Sequence, residues 1–143
     1  MIVNAWNRNY IPWRLLLPQG VSGAIKRKGG IQPFREVSRH GMMKAGDAVL
    51  TSAGRLPFKA IIHIAALEWY WRATEKAVAN GVRNALELAQ QQGFSSIAFP
   101  ALGSGTGGMS VDRSLHLMEQ SVIQAATPLD VLLVEFKPVR KQK

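Results

Sequence analysis

The chain has no cysteine. Disulfides, thiolate nucleophiles and thiolate-rich zinc sites are therefore excluded by composition alone. Acidic residues are scarce, with 9 Asp and Glu against 18 Lys and Arg, for a formal net charge of +9. No apolar run approaches the roughly 20 residues that a membrane helix requires. The N-terminus also lacks a basic segment followed by an apolar core, so no secretory signal is expected and a cytoplasmic location is the default. Three histidines and no acidic cluster make a metal site improbable, and no cofactor is expected.

What is present suits one globular domain with a real core. The chain has 143 residues, 47% of them hydrophobic and 19% charged. We expect a single domain over 1–136 and a solvated basic tail over 137–143, where Lys137, Arg140, Lys141 and Lys143 cluster. The charge balance also admits attraction to a polyanion such as nucleic acid, with Lys26, Arg27 and Lys28 forming a second basic cluster.

Apolar runs at 2–5, 47–52, 59–66, 96–99 and 131–136 read as strands, the last as a strand covered on both faces. Helices are predicted over 20–28, from Pro33 to about 39, over 75–92, and after an N-cap at Ser110. Leu115, Met118 and Val122 fall on one face of that last helix. The stretch 6–19 reads as a loop. Strands alternating with helices predict an α/β domain with a mixed, largely parallel sheet. His63, on an isoleucine-rich strand, is expected to be structural, with a ring N–H meeting a backbone group.

Two glycine-rich segments each follow a strand and precede a helix. The first contains Gly20, Val21, Ser22 and Gly23; the second contains Gly103, Ser104, Gly105, Thr106, Gly107 and Gly108. Neither holds an Asp or Glu. Glycine lets backbone N–H groups approach an anion closely, and a following helix N-terminus adds its positive end. Carboxylates are missing from where a diphosphate would repel them.

The ordered set Val3-Asn4-Ala5-Trp6-Asn7, Gly20 to Ile25, Gly46 to Thr51, Ile61-Ile62-His63 and Ser96 to Ala101 before a Gly/Ser/Thr loop resembles the macro domains. These modules bind ADP-ribose, and the resemblance runs from Ile2 to about Val122. It implies a three-layer α/β/α fold and a ligand that is ADP-ribose, free or on a mono-ADP-ribosylated protein. Asn7 matches the residue that contacts the distal ribose and would be the candidate catalytic residue. Gly20, Val21, Ser22 and Gly23 match the first diphosphate loop, and Ser104, Gly105, Thr106 and Gly107 match the second, with the flanking Gly103 and Gly108 counted among the ligand-binding residues.

Three departures from the family pattern shape the expectation. Family members commonly begin with an additional strand and a Gly-Asp-Ile turn whose Asp holds adenine. This chain begins inside what would be the next strand, so either it is a truncated form or adenine is read by stacking and shape alone. Ser22 stands where the resembling hydrolases carry an Asp. A serine without a neighbouring base is a poor general base, and losing such a group costs about a hundred- to ten-thousand-fold in rate. A binder is therefore expected ahead of a hydrolase of ADP-ribose derivatives, with a nucleic-acid or poly(ADP-ribose) binder third. Finally, the insertion 8–17 and the aromatic stretch 67–72 could supply a wall over the ligand through Tyr10, Trp13 or Trp69, because the family's aromatic position is Gly107 here.

Overall fold

A computed structural model describes residues 1–6, 20–68, 72–105 and 107–135. Nine elements follow in the order β1 (Ile2–Trp6), α1 (Gly20–Gly29), α2 (Gln32–Ser38), β2 (Ala48–Thr51), β3 (Ile61–Ala65), α3 (Glu75–Gln91), β4 (Ser96–Pro100), α4 (Val111–Ala125) and β5 (Asp130–Val134). The five strands form one sheet in the order β2-β3-β1-β4-β5. Only β2 pairs antiparallel; the β1–β3, β1–β4 and β4–β5 pairs are parallel.

Side chains alternate across the sheet and build two cores. Val3, Ile62, Ile64, Ile97 and Phe99 face α3 and α4 and pack with Val78, Val82, Leu86 and Met118. Trp6, Ile61 and Ala65 face the other way, toward Ile25, Phe34 and Val37 of α1 and α2. Each large side chain buried in this way stabilises the fold by about 1.5–3 kcal/mol. The result is the three-layer α/β/α arrangement.

Local chemistry sets the element ends. Thr74 caps α3 by accepting from the Ala77 N–H at 3.1 Å, and Ser110 caps α4 by accepting from Arg113 at 3.1 Å. At Gly81 a Cβ would collide with Ile64, so glycine there lets α3 lie directly on β3.

Two sequence readings need correction. Trp6 ends β1 instead of opening a loop, and it is buried between the sheet and Phe34, ring centroids 5.3 Å apart. The last strand is not covered on both faces. β5 is an edge strand in which Val131 and Leu133 pack inward while Leu132 and Val134 stay 55% and 50% exposed. An apolar run cannot by itself say which of its faces finds a neighbour. The basic tail 137–143 lies outside the described residues.

Candidate functional site between two glycine loops

Strand order reverses at the centre of the sheet. The chain leaving β1 goes through α1 and α2 to β2 and β3 on one side, whereas β4 leads through α4 to β5 on the other. Ligands of open α/β sheets bind outside the carboxyl ends of strands at such a switch point. Because β1 and β4 are parallel neighbours, the segments that follow them emerge at the same end. Both glycine segments follow these two strands.

The first segment is the opening turn of α1. Gly20 has φ +55°, a left-handed conformation that favours glycine, and nothing lies within 4 Å of a Cβ built there. The first-turn N–H groups of a helix have no intrahelical acceptor, so this turn presents amide donors and the positive dipole end. Its acidic complement is empty, and Lys26, Arg27 and Lys28 sit in the last turn, where the dipole favours cations. Val21 is exposed, Ser22 half-buried and Gly23 buried. Asn7 lies outside the described residues, as does the insertion 8–17.

Ser22 is held from below. Its hydroxyl donates to Asn4 Oδ1 at 2.7 Å and lies 3.2 Å from the Ala5 carbonyl. Asn4 and His63 are direct partners in the β1–β3 register, and Asn4 Nδ2 lies 3.1 Å from His63 Nδ1. With Asn4 donating to Nδ1, the imidazole carries its proton on Nε2 and gives it to Thr51 Oγ1 at 2.9 Å. Thr51 in turn donates to the Ser52 carbonyl at 3.0 Å. Asn4 and His63 are fully buried, and Thr51 nearly so.

His63 is kept neutral. Burial is the main cause, lowering its pKa to about 3; Glu36 raises it and His40 lowers it by smaller amounts. Trp6 and Phe34 flank the ring at centroid distances of 6.0 and 6.1 Å. The histidine is structural, as expected, but its partners are two side chains and not a backbone group. It cannot activate Ser22, because Asn4 stands between them.

The second segment is rooted differently. Ser114 of α4 donates to the Leu102 carbonyl at 2.6 Å, and Leu102 is fully buried. A Cβ on Gly103 (φ +77°) would sit 2.5 Å from Ala73 Cβ, and one on Gly107 would sit 2.6–2.9 Å from Gly103 O, Ala73 and Leu67. These two glycines are therefore packing positions, Gly103 buried against Ala73 and Gly107 against Ala73 and Leu67. The place of the family's aromatic at Gly107 is closed by Leu67 and Ala73; the aromatic stretch at 69–71 lies outside the described residues.

Ser104 donates its hydroxyl to the Ala101 carbonyl at 2.7 Å, so it shapes the loop and has no proton left for a ligand. Gly108 (φ +76°) donates its N–H to Gly105 O and Met109 to Gly103 O. Gly105 differs from its neighbours. It is exposed, nothing lies within 4 Å of a Cβ built there, and among the described residues no acceptor takes its N–H. Thr106 lies outside the described residues.

The site residues split into two groups. Gly20, Val21, Gly105 and Gly108 are exposed, with Ser22 and Ser104 half-buried, whereas Gly23, Gly103 and Gly107 are buried. The Asn4–His63–Thr51 relay was not anticipated. Its trace in the sequence is one polar residue on each of three otherwise apolar strands. Among the described residues, no group of three His, Cys, Asp or Glu could hold a metal ion. No helix among them is long and apolar enough to cross a membrane.

The macro domain family matches residues 3–118. This chain belongs to the macro domains. An uncharacterized protein of Pyrobaculum aerophilum is 40% identical over 115 residues, 77% of this chain and 62% of that protein. The chain thus spans less than two thirds of that relative's length. A protein of Klebsiella pneumoniae named O-acetyl-ADP-ribose deacetylase is 34% identical over 146 residues, covering 95% of this chain and 81% of its own. Among solved structures, a mutant of the Oceanobacillus iheyensis macrodomain with ADPR superposes with a TM-score of 0.80. It is 29% identical, covering 97% of this chain and 78% of its own.

Proposed function

We propose that this macro domain binds ADP-ribose, free or as a mono-ADP-ribosyl group on a protein. The diphosphate would lie between the first turn of α1 and the loop 101–109. The observation that carries this reading is the placement of two carboxylate-free, amide-bearing segments at one sheet switch point, with Gly105 exposed and unobstructed. The ADPR in the Oceanobacillus iheyensis macrodomain supports it.

Calorimetric titration with ADP-ribose, ADP and AMP tests the proposal. Binding should be tightest for ADP-ribose and weakest for AMP, which lacks the second phosphate. A folded protein that binds none of the three would overturn it.

A second reading, removal of acetyl from an O-acetyl-ADP-ribose, draws support from the Klebsiella pneumoniae relative. Ser22 tells against fast chemistry, because its proton is directed to Asn4 and, among the described residues, no base touches it. Ser22→Asp would set a carboxylate against two acceptors, Asn4 Oδ1 and Ala5 O, so a gain in turnover requires the Asn4 amide to turn over. Acetate release followed by proton NMR, for both proteins, separates a binder from a hydrolase.

A further inference from the structure

Charge is divided between the two halves of the fold. Residues 20–60, which carry α1, α2 and β2, hold eight cationic side chains against Glu36 and Asp47 alone. Residues 61–135 hold four cationic side chains against seven acidic ones. Within residues 20–135 the excess of positive charge is thus confined to 20–60, while Arg8, Arg14, Lys137, Arg140, Lys141 and Lys143 lie outside the described residues.

The last turn of α1 meets the connection between β2 and β3. Arg55 donates its backbone N–H to Gly29 O at 2.9 Å, and a Cβ built on Gly30 would lie 3.6 Å from the Arg55 guanidinium. Gly29 and Gly30 thus bring the end of α1, where Arg27 and Lys28 are exposed, against the connection that carries the exposed Arg55, Phe58 and Lys59. The acid on this side, Glu36, accepts from the Ser52 N–H at 2.8 Å, the Ser52 hydroxyl at 2.6 Å and Gln32 at 3.1 Å. Gly20 and Lys28 are separated by about 12 Å along α1 at 1.5 Å per residue. The surface is thus at the end of α1 remote from the glycine loops.

Phe58 decides what this surface fits. It is 44% exposed, belongs to neither core, and stands between Arg55 and Lys59. An aromatic face among cations offers stacking to a base while the cations meet the phosphates. Arginine adds a planar fork suited to phosphate oxygens. The carboxylates of an acidic peptide do not stack as unpaired bases do, and a duplex keeps its base faces covered. We propose that this pole is a docking surface for single-stranded nucleic acid, separate from the glycine-loop site.

Fluorescence anisotropy of a fluorescein-labelled strand of 15 thymidines tests it. Binding at 50 mM salt should weaken with a log–log slope of about −3, from about −0.7 for each of four phosphate contacts. Arg55→Gln and Lys28→Gln should each flatten that slope by about 0.7. Phe58→Ala should weaken binding at least fivefold with the slope unchanged, as loss of stacking does. Arg83→Gln on α3 should change neither, and saturating ADP-ribose should not displace the strand. No binding at 50 mM salt overturns the proposal, as does Phe58→Ala without effect. Displacement by ADP-ribose, equal binding of a duplex, poly(ADP-ribose) or polyglutamate, or an Arg83→Gln loss matching that of Arg55→Gln would overturn it too.

Discussion

The two glycine segments reach the same end of the sheet on different foundations. Beneath the first is a line of polar groups, Ser22 to Asn4 to His63 to Thr51, each handing a hydrogen bond across the interior. Beneath the second is apolar contact, with Gly103 and Gly107 pressed against Ala73 and Leu67 and Leu102 sunk into the core. A polar foundation fixes direction, because each partner must be a donor or an acceptor in turn. A packed one fixes distance, because nothing larger than hydrogen fits. The first should therefore fail when a proton is added or a partner removed, and the second when volume is added.

The largest effect is expected from volume. Gly103→Val combines a left-handed φ with a side chain driven into Ala73 and should destabilise by about 3 kcal/mol. Chemical denaturation reads this directly; a loss below about 1 kcal/mol would show that the loop relaxes and is not tightly seated.

Acid should attack the other foundation. The folded pKa of His63 is depressed to about 3 from an unfolded value of 6.5. Unfolding therefore takes up a proton between those values, and the stability that neutral His63 contributes is present above pH 6.5 and lost as pH falls toward 3. By pH 4.5 this amounts to about 2.5 kcal/mol. His63→Gln should remove most of that pH dependence in denaturation curves; an unaltered profile would assign it to other groups.

At the ligand, Gly105→Leu should lower ADP-ribose affinity at least a hundredfold, about 2.7 kcal/mol. Its unfolding midpoint should not move, because the added side chain points into open space. Undiminished affinity would remove this loop from the site. The smallest effect is expected from Thr51→Val, which leaves the His63 Nε2–H without its acceptor and should cost about 1–2 kcal/mol. The tautomer should be kept by Asn4, so among the imidazole nitrogen shifts only that of Nε2, relieved of its hydrogen bond, should move. Unchanged shifts would mean that Thr51 does not orient the ring.

Much of the layout was legible beforehand. Alternating strands and helices, the Ser110 cap and the two glycine segments all rest on local signals, which neighbours in sequence carry. What was not legible depends on register. Asn4 and His63 are 59 residues apart and become partners only once β1 lies beside β3. The three glycines at 103, 105 and 107 look alike in sequence. They part company only because Ala73 and Leu67 arrive from a distant segment and close two of them, leaving the third open. The exposed face of β5 escaped notice for the same reason, since β4 pairs with one of its edges and nothing in the run 131–136 says what lies on its outer face.

That difference among three glycines also bears on how such a domain can change over generations. Substitution at 103 or 107 is opposed by the fold whatever the protein does. Substitution at 105 is opposed only by a ligand. A lineage that ceased to bind its ligand would therefore be free to lose Gly105 first while holding Gly103 and Gly107, so drift at that one position would record the history of use, not of stability.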